Sequence, residues 1–131
     1  MTGTMLQAHR ARQSYAAIDT GTRAEQASPH RLIELLYDEL LSCLRQAAFA
    51  VEGGQLELKS QRVSKALSIL HGLETGLDSA RGGEVAASLA DVYAGVRGRI
   101  MAGNAGNDIE ALNEAIDAIA GIAEAWVAIR P

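Results

Sequence analysis

The sequence predicts an all-α protein, an antiparallel up-down four-helix bundle over residues 27–131, preceded by a loosely attached amino-terminal segment, residues 1–26. Three observations predict it. Apolar residues recur every three or four positions through four successive stretches of similar length. The breaks between them are too short to carry the chain back along a helix, so consecutive helices must be antiparallel neighbours. No stretch shows the alternation of a half-buried strand.

Helix one opens at Ser28-Pro29, an N-cap hydroxyl followed by proline at the first helical position, and runs to Val51 or Glu52, where Gly53-Gly54 stops it. Helix two begins near Leu56. Its heptad-spaced residues Leu56, Val63, Ala66, Leu70, Leu73, Leu77 and Ala80 predict coiled-coil-like packing as far as Arg81-Gly82-Gly83. Helix three starts at Glu84, with Val85, Leu89, Val92, Tyr93, Val96 and Ile100 on one face, and is broken by the run Ala102 to Asn107. Helix four opens at Asn107-Asp108 and aligns Ile109, Leu112, Ile116, Ile119, Ala123 and Trp126.

Composition narrows the function. Hydrophobic residues at 48% and charged residues at 21% describe a globular chain with a real core. A net charge of -4 leaves no basic footprint for nucleic acid, and His9, Arg10 and Arg12 read as a solvated terminus. The single cysteine, Cys43, excludes an internal disulfide, suits a reducing compartment and serves as a small core hydrophobe. Residues 1–25 lack the apolar core of a secretory signal, and no window is long and apolar enough to span a bilayer. A cytoplasmic protein without membrane insertion is expected.

Catalytic signatures are missing as well. There is no glycine-rich phosphate loop, no nucleophile elbow and no Cys or His pairing at zinc spacing. His30 and Glu34, four apart, make a local helix pair and not a metal site. His71 is the candidate for a phosphotransfer bundle, but no lysine follows closely to hold the phosphoryl charge. No cofactor, metal or catalytic residue is expected.

What the sequence offers instead is apolar surface. On a helical wheel, Glu34, Asp38, Ser42, Arg45 and Glu52 of helix one share a polar stripe, within which Leu35 and Phe49 also fall. The apolar arc runs through Leu36, Leu40 and Leu44 to Tyr37, Leu41 and Ala48 and covers about 180 degrees, where one core needs little over 100. Burial by neighbours on both flanks, dimerisation, or a groove for a foreign segment would each account for the excess. Helix three adds a smooth outer side of Ala87, Ser88, Ala94, Gly95, Gly98 and Ala102, where another backbone can approach closely. In the leader, Tyr15 and Ile18 form an apolar pair able to seat over a groove.

Several pieces in order carry a further likeness: Tyr15 in the leader, "ASPHRLIELLYD" and "AVEGG" at the two ends of helix one, "KALSIL" in helix two, "GGEVAASLADVY" across the second turn, "NAGND" before helix four and "EAW" near the end. Together they resemble the flagellar secretion chaperones of the FliS family, from about Tyr15 to Trp126. The resemblance implies a non-enzymatic helical bundle that binds the disordered carboxy-terminal segment of flagellin in the cytoplasm, prevents premature polymerisation and serves the flagellar type III export apparatus. It also implies that the leader, here Tyr15 and Ile18, can cover part of the groove and move aside.

The expected client contacts are Tyr15, Ile18, Tyr37, Leu41, Leu44, Ala48, Tyr93, Gly95 and Gly98, on a monomer or weak homodimer. A self-associating structural module and the His71 phosphotransfer bundle are the competing readings. The chain departs from the family pattern at Glu39, where glycine often follows "YD", at Gly95, where a second aromatic often stands, and at Gly103, usually alanine.

Overall fold

The structure, a computed structural model, describes residues 27–77 and 79–131, with backbone only for residues 79–82. The leader, with Tyr15 and Ile18, lies outside the described residues. Four helices follow in order: α1 (Pro29–Glu52), α2 (Leu56–Thr75), α3 (Ser79–Gly106) and α4 (Ile109–Ala128). α1 packs on α2 and α4, and α3 packs on the same two, so the helices form a ring with α1 and α3 diagonally opposed.

Local chemistry sets most of the ends. The Ser28 hydroxyl accepts from the Arg31 N–H at 3.2 Å with Pro29 in the first turn, and the Asp108 carboxylate accepts from the Ala111 N–H at 3.2 Å. α1 closes where the Gly53 N–H donates to the Phe49 carbonyl at 3.0 Å and Gln55 N–H to Ala50 at 2.8 Å. Between α3 and α4, Asn107 takes the left-handed conformation (φ 50°), and the Asp108 N–H reaches back to the Gly103 carbonyl at 3.1 Å, a Schellman-type closure.

Three boundaries differ from expectation. α2 ends at Thr75 instead of Arg81, because the Thr75 hydroxyl donates to the Gly72 carbonyl at 3.1 Å and Gly76 follows at once. Leu77 therefore leaves the heptad seam. α3 begins at Ser79 and is interrupted at Gly83, whose φ of 53° and ψ of -124° only glycine adopts readily, so the regular helix resumes at the expected Glu84. At its far end α3 runs straight through Gly103 to Gly106, and the predicted break does not occur there.

The core is centred on α1, where twelve of 24 residues are buried. Leu32, Leu36, Leu40, Leu44 and Ala47 are completely covered and cluster with Val63, Ala66, Ile69 and Leu70 of α2, Ile100 of α3, and Leu112, Ala115 and Ile119 of α4. Ion pairs bridge neighbours around the ring: Lys65 to Glu39 at 3.1 Å, Arg97 to Glu74, and Arg99 to Glu114 at 3.0 Å. All are partly exposed, so each contributes about 0 to 1 kcal/mol and chiefly aligns the helices. The Lys65 partner is the Glu39 that departs from the family pattern. Buried Lys59 donates to the Asn104 carbonyl at 2.8 Å, a cation at the negative end of α3.

Gly103 explains why α3 tolerates a glycine so late. A Cβ there would lie 2.6 Å from Cγ and Cδ2 of Leu112, so α3 and α4 approach only because it is missing. Gly103→Ala should lower unfolding free energy by about 1 to 3 kcal/mol through overpacking, despite the better helix propensity of alanine. Urea denaturation checks this, and an unchanged or raised midpoint would show that Leu112 yields freely.

Candidate functional site

Of the three readings that the apolar arc of α1 allowed, burial against its own neighbours accounts for most of it. Tyr37 and Leu44 are 1% and 0% exposed, and Leu41 and Ala48 are 7% and 9% exposed. The reason is geometric: α2 and α4 flank α1 while α3 lies across from it, and most of the arc is covered, with Ile33 and Val51 left partly buried. Even the polar stripe is partly enclosed, with Leu35 at 5% and Glu34 at 3%. Phe49 alone of the stripe's apolar members stands out, 71% exposed.

Uncovered apolar surface lies on α3 and α4 instead. Of the 20 residues in α4 only Ala111, Leu112, Ala115 and Ile119 are buried, while Ile116, Ala118, Ala120, Ile122, Ala123 and Trp126 are partly buried against the core. Its carboxylates, Glu110, Glu114, Asp117 and Glu124, leave both flanks of this helix aliphatic. That composition is the sequence signal of an open flank on this helix.

On α3, exposed Val85 and Val92 and partly buried Leu89 recur at helical spacing above buried Val96 and form one stripe of about 16 Å. The stripe joins two depressions. One is a shallow groove between α3 and α4, floored by Val92, Gly95, Val96 and Ala118 and edged by Asp91, Arg99, Glu114 and Asp117. The other is an apolar pocket of about 320 Å³ at the end of the bundle. Its wall comes from Ile33 and Tyr37 of α1, Leu73 of α2, the connecting Gly76 and Leu77, Val85, Ala86, Leu89 and Tyr93 of α3, and Trp126 of α4.

Of the expected contact residues, the structure brings Tyr37 and Tyr93 together at this pocket, their hydroxyls 2.6 Å apart. Burial holds the Tyr37 phenol above its ordinary range, and burial with the neighbouring Tyr37 does the same for Tyr93, so both stay protonated. Gly95 lines the α3/α4 groove, and Gly98 faces open space on the outer side of α3. Leu41, Leu44 and Ala48 are inside and away from both depressions.

Trp126 is held over the pocket by a strap invisible to sequence patterns. Its indole N–H donates to the His30 carbonyl at 2.9 Å, the His30 Nε2–H donates to the Trp126 carbonyl at 2.9 Å, and the rings stack at 4.3 Å. One turn along α1, Arg130 and Arg31 pair with the buried Glu34 carboxylate, which they hold below its ordinary range, Arg130 foremost. His30 thus pairs with Trp126, and Glu34 with arginines, in place of the local pair expected between them. Among the described residues, no group of three or more His, Cys, Asp or Glu side chains is placed to hold a metal ion. Among them, too, no helix is long and apolar enough to cross a membrane.

The chain is similar to known proteins over nearly its whole length. A family profile described as flagellar protein FliS matches residues 11–131. The flagellar secretion chaperone FliS of Salmonella typhimurium is 38% identical over 120 residues, covering 91% of this chain and 89% of that one. The flagellar secretion chaperone FliSB of Pseudomonas aeruginosa is 34% identical over 119 residues, 91% and 94% of the two chains. FliS of Bacillus subtilis is 31% identical over 100 residues, 76% and 74%.

The depressed Glu34 pKa gives the strap a pH signature. A carboxyl whose folded pKa lies below its ordinary 4.5 adds stability above that value and loses it as pH falls through the folded pKa. Glu34→Gln should therefore be less stable than wild type at pH 7, and the difference should shrink toward roughly pH 3. Urea melts at the two pH values check it; a constant difference would mean that the ion pair adds no pH-dependent stability.

Proposed function

The chain belongs to the flagellar protein FliS family, whose named relatives are secretion chaperones, and on that premise we propose that it is the export chaperone of flagellin. In this reading it captures the disordered carboxy-terminal segment of flagellin in the cytoplasm. It keeps that segment from polymerising and presents the subunit to the flagellar type III export apparatus.

One observation carries the reading: the aliphatic stripe of α3 that runs from the α3/α4 groove into the end pocket, beside an α4 that its own bundle covers incompletely. A disordered client loses about 1 to 2 kcal/mol of backbone entropy per residue on ordering, so it needs a long apolar surface more than one deep cavity. A small-molecule site would be enclosed and furnished with several convergent polar groups. A stripe edged by carboxylates suits a chain segment, and the modest affinity typical of coupled folding suits later release.

The expected contacts divide accordingly. Gly95 and Gly98 let the client backbone approach α3, Tyr37 and Tyr93 meet it at the pocket, and Leu41, Leu44 and Ala48, buried away from both depressions, serve the core. Tyr15 and Ile18 act as a removable cover. The working form is a monomer or weak homodimer.

Titration calorimetry with a synthetic peptide of the flagellin carboxy terminus tests the proposal. Saturation at one peptide per chain is expected. Concentration-dependent dimerisation without peptide binding would make the protein a self-associating module. Val85 and Val92 are 69% and 39% exposed, so Val85→Ser with Val92→Ser should together shift stability by no more than about 1 kcal/mol. Peptide affinity should fall about tenfold, roughly 1.4 kcal/mol; unchanged affinity would exclude the α3 stripe. Deleting residues 1–20 should leave the bundle folded and raise peptide affinity, whereas an unaltered dissociation constant would remove the cover.

A further inference from the structure

We infer that the Tyr37–Tyr93 pair is the pocket's specificity-determining donor: the pocket takes an apolar client residue whose carbonyl oxygen accepts the one O–H that the pair leaves over. This rests on the reading of the chain as a chaperone for a disordered segment.

The argument is a count. Two phenols carry two O–H groups, and the single 2.6 Å bond between them uses one. Neither hydroxyl has another hydrogen-bond partner among the described residues. Tyr37 is 1% and Tyr93 2% exposed, and both phenols stay protonated, so the second proton is a permanent donor in a nearly dry place. Around it Ile33, Leu73, Leu89 and the face of Trp126 offer no acceptor side chain, and the nearby Glu74 carboxylate is engaged by Arg97 and makes no hydrogen bond to either phenol. A buried donor without an acceptor costs more than an acceptor with a spare lone pair, so the demand is for an acceptor.

An occupant that meets both demands has an aliphatic or aromatic body and a carbonyl with no partner of its own. A peptide segment that is not yet fully helical has such carbonyls at every residue; one already folded into a helix keeps them only in its last turn. The pocket thus favours the client in its incompletely folded form. An all-hydrocarbon occupant would leave the O–H orphaned.

The test compares Tyr37→Phe, Tyr93→Phe and the double variant, in the full chain, against the same tryptophan-free flagellin peptide. Binding is followed by calorimetry, and by the emission of Trp126, the only tryptophan and part of the pocket wall. Each single variant keeps one O–H and should bind within about twofold of wild type, while the double variant should bind roughly two- to tenfold more weakly. Thermal stability should show the opposite order: the singles, each with an orphaned hydroxyl, melt below wild type, and the double variant recovers. A purely structural pair would give that melting pattern with equal affinities throughout, and this result overturns the inference.

Other outcomes separate the causes. Peptide binding by wild type without any change in Trp126 emission would put the client elsewhere. A change in emission on deleting residues 1–20, with none on adding peptide, would assign the pocket to the chain's own leader. No peptide binding at all would remove the chaperone reading itself.

Discussion

The molecule is organised by the need to cover α1. A helix with an apolar arc of about 180 degrees cannot be buried by one partner, so α2 and α4 flank it and α3 crosses behind, reaching it through the Tyr37–Tyr93 hydroxyls at 2.6 Å. α1 is thereby nearly used up, and α3 and α4 are not. Each packs on two neighbours and keeps an outer flank of small or aliphatic residues. The surface available for a partner is what remains after α1 has been satisfied.

That division sets where function sits. The end pocket lies beside both chain breaks, lined by Gly76 and Leu77 just past the end of α2 at Thr75 and by Val85 and Ala86 just past the interruption of α3 at Gly83. The His30–Trp126 stack and the Glu34 arginines then pin the last turn of α4 against the first turn of α1, which fixes one wall of that cleft. Bundle stability and pocket shape therefore share residues. The partly exposed ion pairs between helices set register while leaving the aliphatic stripe of α3 free.

Much of this was legible in the sequence. Ser28-Pro29, Gly53-Gly54 and Asp108 act within one turn, so the limits of α1 and the start of α4 followed from local chemistry, and the short breaks dictated antiparallel order. The family resemblance rested on the same local pieces. Features that depend on distant partners were not legible. Glu34 looked solvated until Arg130, 96 residues away, covered it, and Gly103 looked like a helix breaker until Leu112 showed why the gap is needed. The apolar arc of α1 was read correctly as a pattern, but a wheel cannot show how many neighbours a helix will have. The same blindness hid α4, whose surplus is visible only once its buried positions are known.

The central claim is that the stripe of α3, the open flank of α4 and the pocket they share receive a disordered client segment. Backbone amide chemical shifts of the chain during titration with the flagellin carboxy-terminal peptide address it most directly. The account expects the largest shifts at residues 85–100, along 115–126 and at Tyr37, with the outer faces of α1 and α2 nearly still. Shifts concentrated around Phe49 and Leu56 at the opposite end, with α3 and α4 unmoved, would contradict it.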